Sequence, residues 1–128
     1  MDPRSAADAY RTASIENAPP IKIIRLLYEG ALRFLDQAAS ADPRDPRSDF
    51  AKRIGNVDDI VVELRLAIDD AYKCALTDDL ERLYLYCEDE LGRALVERSV
   101  EPLPGVRRVL EILLDAWEQV EVETTRAA

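Results

Sequence analysis

The chain has 128 residues, with 17 Lys and Arg against 26 Asp and Glu, a formal net charge of −9 and no histidine. That charge balance repels polyanions, which argues against nucleic acid and anionic membrane as partners. The missing histidine removes the commonest general base, the commonest metal ligand and the Glu-x-x-His pattern of di-iron bundles, and a composition of 48% hydrophobic and 34% charged residues reads as one soluble globular domain rich in helix.

Residues 1–19 read as an N-terminal arm carrying Tyr10 and Ile15, with room for a short helix near Ser5 to Ala13 that is stable only if it docks. The arm lacks the apolar core of a signal peptide. No apolar run approaches the roughly 20 residues of a membrane span, so a cytoplasmic location without membrane insertion is expected. Pro19-Pro20 ends the arm, and Pro20 is well placed to open the first long helix, which runs to about Ser40. At about 100° per residue, Ile24, Leu27, Ala31, Phe34, Leu35 and Ala38 form its core stripe. Ile23, Leu26, Tyr28 and Leu32 widen that stripe to roughly 240° of arc on the same wheel. A helix on the outside of a bundle needs little more than about 100°. This one therefore either sits at the centre of the fold or offers an apolar groove to something outside the chain.

Ala41 to Ser48, with two prolines and two aspartates, reads as a linker. A second helix is predicted from about Ser48 to Tyr72, with Phe50, Ile54, Val57, Ile60, Val61, Leu64, Ile68 and Ala71 on its main face; Gly55 and Asn56 mark a place for a kink. Thr77 reads as the N-cap of a third helix ending near Glu97, with Asp78 and Asp79 at its positive end. Leu80, Leu83, Tyr84, Cys87, Leu91 and Ala94 would face its core. Arg98 to Gly105 makes a proline-marked turn, and a fourth helix follows from Val106 to about Val122, burying Val109, Leu110, Leu113, Trp117 and Val120. Residues 123–128 should fray. The sum is a single all-α domain spanning 1–128, an antiparallel four-helix bundle with a short N-terminal helix or arm.

Once each core stripe is assigned, large apolar residues are left over: Ile23, Leu26 and Leu32 on the first helix, Val62 and Leu66 on the second, Leu85 and Tyr86 on the third, and Ile112 at the edge of the fourth stripe. Single exposed apolar residues are ordinary, and one helix could simply be central. The functional alternative is a contiguous groove for an amphipathic helix or an extended apolar segment; periodicity leaves both readings open. Tyr10 could plug such a groove or merely anchor the arm. The acidic pairs read as solvated faces and caps, not a metal site, and Cys74 and Cys87 as reduced thiols. Neither a cofactor nor a catalytic constellation is indicated. Clamping a dianion would need inward-pointing cations, and Arg25, Arg33, Arg65, Arg82, Arg93, Arg107 and Arg108 mostly fall off the core stripes.

The segment Asn17-Ala-Pro-Pro-Ile-Lys-Ile-Ile-Arg-Leu-Leu-Tyr-Glu-Gly-Ala-Leu-Arg-Phe-Leu35 resembles the signature of the flagellin-specific export chaperones, the FliS family. Ile60 to Asp69, Leu83-Tyr-Leu-Tyr86 with Leu91, and Val109 to Trp117 are similar to further stretches of that family in the same order, and Tyr10 with Ile15 falls where it places an arm element. The chain departs from the pattern at Pro19, at Ala94-Leu95 and at Ser99, and it lacks the glycine-rich turn expected between Ala71 and Thr77.

The resemblance implies a cytoplasmic, non-enzymatic helical bundle that binds the disordered C-terminal segment of flagellin. Such a protein prevents premature polymerisation and delivers the subunit to the flagellar type III export apparatus. On that basis the expected client groove comprises Ile23, Leu26, Leu27, Leu32, Val62, Leu66, Leu85 and Tyr86, with Tyr10 and Ile15 as its N-terminal plug. The protein would be a monomer or weak homodimer. The competing reading is a homodimeric structural or signalling bundle whose spare apolar residues form the dimer seam.

Overall fold

A computed structural model of the chain describes residues 21–71 and 75–127. Among them are four α-helices and no strand: α1 (Ile21–Ala39), α2 (Phe50–Ala71), α3 (Ala75–Glu97) and α4 (Leu103–Ala127). Each helix packs on two neighbours, α1 and α3 both lying against α2 and α4, so α1 and α3 face each other across the bundle diagonal. The expected all-α bundle is what the chain forms. The N-terminal arm, with Tyr10 and Ile15, lies outside the described residues, as does Cys74.

Local chemistry sets the boundaries. In the α1–α2 loop, the Asp42 and Asp45 carboxylates accept hydrogen bonds from the backbone N–H of Arg44 (3.0 Å) and Arg47 (2.9 Å), a turn chemistry in which the side chain replaces a backbone partner. The Ser48 hydroxyl donates to the Asp42 carbonyl at 2.5 Å and accepts from the Phe50 N–H at 3.3 Å, tying the loop to the start of α2. Helix α2 then runs through Gly55 and Asn56 without a break. At the end of α3, Arg98 takes a left-handed conformation (φ 51°), and the Ser99 N–H reaches back to the Ala94 carbonyl at 3.1 Å. This is the six-to-one closure of a Schellman cap, with arginine where glycine is usual.

Three boundaries differ from expectation. Helix α3 starts at Ala75, so Thr77 lies inside its first turn and does not cap it. Helix α4 starts at Leu103, with Pro104 in the first turn, where its missing N–H has no intrahelical partner to lose. It continues to Ala127 past the expected end, since neither glycine nor proline interrupts it.

The core is one apolar cluster built from all four stripes, including Ile24, Leu35, Ile54, Leu64, Leu91, Val106 and Leu110. Helix α1 contributes Tyr28, which is fully buried and meets Tyr84 of α3 hydroxyl to hydroxyl across the diagonal. Burial pushes the Tyr28 phenol up to about 12, while the hydrogen bonds of Tyr84 and Trp117 act in the opposite direction. Phe34, placed in the core stripe by periodicity, is only half-buried, with the Arg53 guanidinium 5.6 Å from its ring centroid. Leu83, also expected in the core, is exposed because α3 turns Tyr84, Cys87, Leu91 and Ala94 inward instead.

Candidate binding surface

The wide apolar arc of α1 is divided among three environments. Ile24, Leu27, Tyr28, Ala31, Leu35 and Ala38 go to the core. Leu27 is 0% exposed, so it cannot line a surface groove as expected; it lies at the centre of the stripe and packs beneath the surface. Ile23, Leu26 and Leu32 are half-buried on the edges. Phe34, beneath Arg53 of α2, marks the edge of α1 that faces α2, and Ile23 and Leu26 fall on that side. Asp36, paired with Arg107 of α4, marks the opposite edge, which Leu32 shares. The outer face of α1 holds a wide, shallow hollow of about 810 Å³, lined by Leu32 and Ala41 but otherwise by polar and charged groups such as Arg33, Asp36 and Arg53.

On α2 and α3 a bidentate bridge fixes the geometry. Arg65 Nε donates to Glu88 Oε2 at 2.6 Å, and its second nitrogen to Oε1 at 3.2 Å, with both side chains largely shielded from solvent. Val62 and Leu85 each sit three residues before a bridging residue, one step outward on the same seam. Val62 is half-buried, while Leu66 is 45% exposed and Leu85 40%. Beside them Asp58 is held above the usual aspartate range, chiefly by burial and then by the nearby Glu88 and Asp59 carboxylates, with Arg65 acting the other way.

Tyr86 points elsewhere. It is 42% exposed on the α3–α4 side, where its hydroxyl covers Gly105 so closely that a Cβ there would collide with it. The eight expected groove residues therefore do not form one trough. Val62 and Leu85 flank the α2–α3 bridge, Leu66 and Leu26 face outward on α2 and α1, Tyr86 belongs to the α3–α4 seam, Ile23 to the α1–α2 edge, Leu32 to the α1–α4 edge, and Leu27 to the interior.

Periodicity missed Leu95, Val96, Val100 and Val122 as exposed apolar groups; Val96 is the extreme case at 85%. Its signal was its position eleven residues after Leu85, on the same face of α3. Among the described residues no reactive side chain competes with these surfaces. The Cys87 thiol is buried and pushed up to about 12, far from a thiolate at neutral pH. Among the described residues there is no cluster of three metal-ligating side chains and no helix long and apolar enough to cross a membrane.

A helical bundle with an apolar interior and large apolar side chains left exposed on its outer faces has the features of a protein-binding module. The chain belongs to the FliS family, described as Flagellar protein FliS, whose model matches residues 3–124. It is 24% identical over 124 residues to the flagellar secretion chaperone FliS of Vibrio cholerae, covering 94% of this chain and 91% of that one. It is 30% identical over 108 residues to the flagellar secretion chaperone FliSB of Pseudomonas aeruginosa (84% and 86% covered) and 25% identical over 111 residues to FliS of Bacillus subtilis (87% and 82%). These are names of chaperones, not of enzymes.

Proposed function

We propose that this chain is a cytoplasmic flagellar secretion chaperone that binds the disordered C-terminal segment of flagellin, keeps it from polymerising and presents it to the export apparatus. The observation that carries the reading is the family match across residues 3–124. The exposed apolar residues of the helix seams, Leu66 and Leu85 among them, supply the kind of surface such work needs. A client that orders on binding loses conformational free energy, so it requires a long apolar track to offset that cost. A segment held on that track is unavailable to a growing filament. In this reading Ile23, Leu26, Leu32 and Tyr86 extend the track along neighbouring seams, and Tyr10 and Ile15 of the arm occupy part of it in the free chaperone. Release depends on the export machinery.

Calorimetric titration with the C-terminal segment of flagellin from the same organism tests the proposal. Saturable one-to-one binding with a negative heat-capacity change is the expected result. The absence of binding to a folded, monomeric sample would overturn it, and a concentration-dependent doubling of mass would favour the homodimeric bundle.

A further inference from the structure

The loop end of the bundle carries a feature that flagellin binding does not use. A cleft of about 260 Å³ opens where the α1–α2 loop and the start of α2 meet the end of α3. Leu95 lies seven residues after Glu88, and so on the edge of α3 that the Arg65–Glu88 bridge turns toward α2. The helices contribute Phe50, Ala51 and Leu95 to the lining, and the loop contributes Pro43 and Pro46, so the surface is largely apolar. The loop is also held in place. Asp42 and Asp45 bond the backbone N–H groups of Arg44 and Arg47, and Ser48 bonds both Asp42 and Phe50. An occupant therefore has little left to order.

Two arginines give this cleft a charge opposite in sign to the chain's net −9. Arg44 and Arg98 both line it and are both exposed, and neither forms an ion pair among the described residues. Asp45, the acidic residue of the lining, is already engaged: it accepts from the Arg47 N–H at 2.9 Å and lies 3.5 Å from the Arg47 guanidinium. Arg98 also occupies its place at a conformational cost, since it is left-handed (φ 51°) where glycine is usual. The dipole of α3 favours a cation at its C-terminus, but it gives no reason for Arg44, which belongs to no helix.

These features select the occupant. The cleft is smaller than the roughly 300–1,000 Å³ of small-molecule sites, so it admits a single side chain. A helix about 10 Å across cannot enter it. The apolar lining selects a large apolar side chain, and the free guanidinium groups select carboxylates, with which arginine forms its strongest hydrogen bonds. We infer that the loop-end cleft binds an extended acidic segment of another protein, anchored by one large apolar side chain with aspartate or glutamate beside it. The inference goes beyond flagellin binding, because it gives the bundle a second partner site. Leu95 lies ten residues beyond Leu85, about 15 Å along α3, which separates the cleft from the exposed apolar residues of mid-bundle.

The test titrates the full chain with flexible peptides of about ten residues. One carries a central phenylalanine flanked by glutamates; in the controls lysines replace the glutamates, or serine replaces the phenylalanine. The glutamate–phenylalanine peptide should bind at least about tenfold more tightly than either control at low salt. Its advantage over the lysine peptide should shrink as salt rises. Arg98→Gly should weaken that binding at least about fivefold while Tm rises, a pair of changes that a folding defect cannot produce. Arg44→Gln, on the exposed loop, should weaken it without moving Tm. Equal affinity for the three peptides, or an unchanged affinity in both variants, would overturn the inference. So would a concentration-dependent doubling of mass that Arg98→Gly abolishes, which would give the cleft to a second copy. Titrating the flagellin segment in parallel separates the two proposals: flagellin binding without glutamate-peptide binding sinks the cleft assignment alone, and the reverse sinks only the flagellin reading.

Discussion

Leu66 and Leu27 lie on adjacent helices of one bundle, yet their environments make opposite demands on substitution. Leu66→Asp places a charge on an already exposed surface and should leave Tm nearly unchanged while removing affinity for the flagellin segment. Leu27→Ala instead opens a cavity in the core and should cost about 2–5 kcal/mol in denaturant unfolding. The buried Tyr28–Tyr84 pair is a second residue-scale case. Tyr28→Phe removes one hydroxyl of a shielded hydrogen bond and should cost about 1–2 kcal/mol. A double-mutant cycle with Tyr84→Phe should be non-additive, because the two residues share the interaction. Asp58 gives a pH signature. Its carboxyl is raised in the folded chain, so ionisation there destabilises the fold above the folded pKa, and the penalty disappears below the unfolded one. Asp58→Asn should therefore raise Tm at neutral pH, with the gain shrinking to nothing as pH falls through the acidic range. A gain that persisted undiminished at low pH would place its origin elsewhere.

At the scale of the element, each helix owes its existence to the 3.6-residue period and its ends to specific groups. Arg98 is the exception, holding a conformation that disfavours a Cβ. Arg98→Gly should relieve that strain and gain about 1 kcal/mol, read as a rise in Tm. No comparable gain is expected in the α1–α2 loop, where Asp42, Asp45 and Ser48 already bond the backbone and where the structure gives no left-handed residue. The outer glycine of α2 belongs to this scale as well. Gly55 reads in the sequence as a possible kink, but it sits opposite the core face of α2, which runs through it without a break.

The whole molecule links these parts through binding. A ligand that binds only the folded chain stabilises it in proportion to RT ln(1 + [L]/Kd). The flagellin segment should therefore raise Tm in a concentration-dependent way in the native protein and have little effect in Leu66→Asp. The net charge of −9 bears on the same event, since it favours partner segments with basic flanks and slows encounters between copies of the chain. Association with such a segment should weaken as salt screens these charges.

Four helices, their order and most of their buried faces were legible in the sequence, because a helix imposes its period on the residues that must face inward. Ile24, Leu35, Ile54, Leu64, Leu91 and Leu110 were all placed correctly for that reason. The wheel also separated Val62, Leu66 and Leu85 from their core stripes. What it could not supply was the neighbour that each edge faces. Angle around one helix axis is a local property, whereas the pairing of helices depends on contacts between residues far apart in the chain, such as Arg65 with Glu88 and Asp36 with Arg107. The tertiary structure alone therefore decided that Tyr28 goes inside with Leu27, that Tyr86 turns toward α4, and that the expected groove residues are spread over several faces.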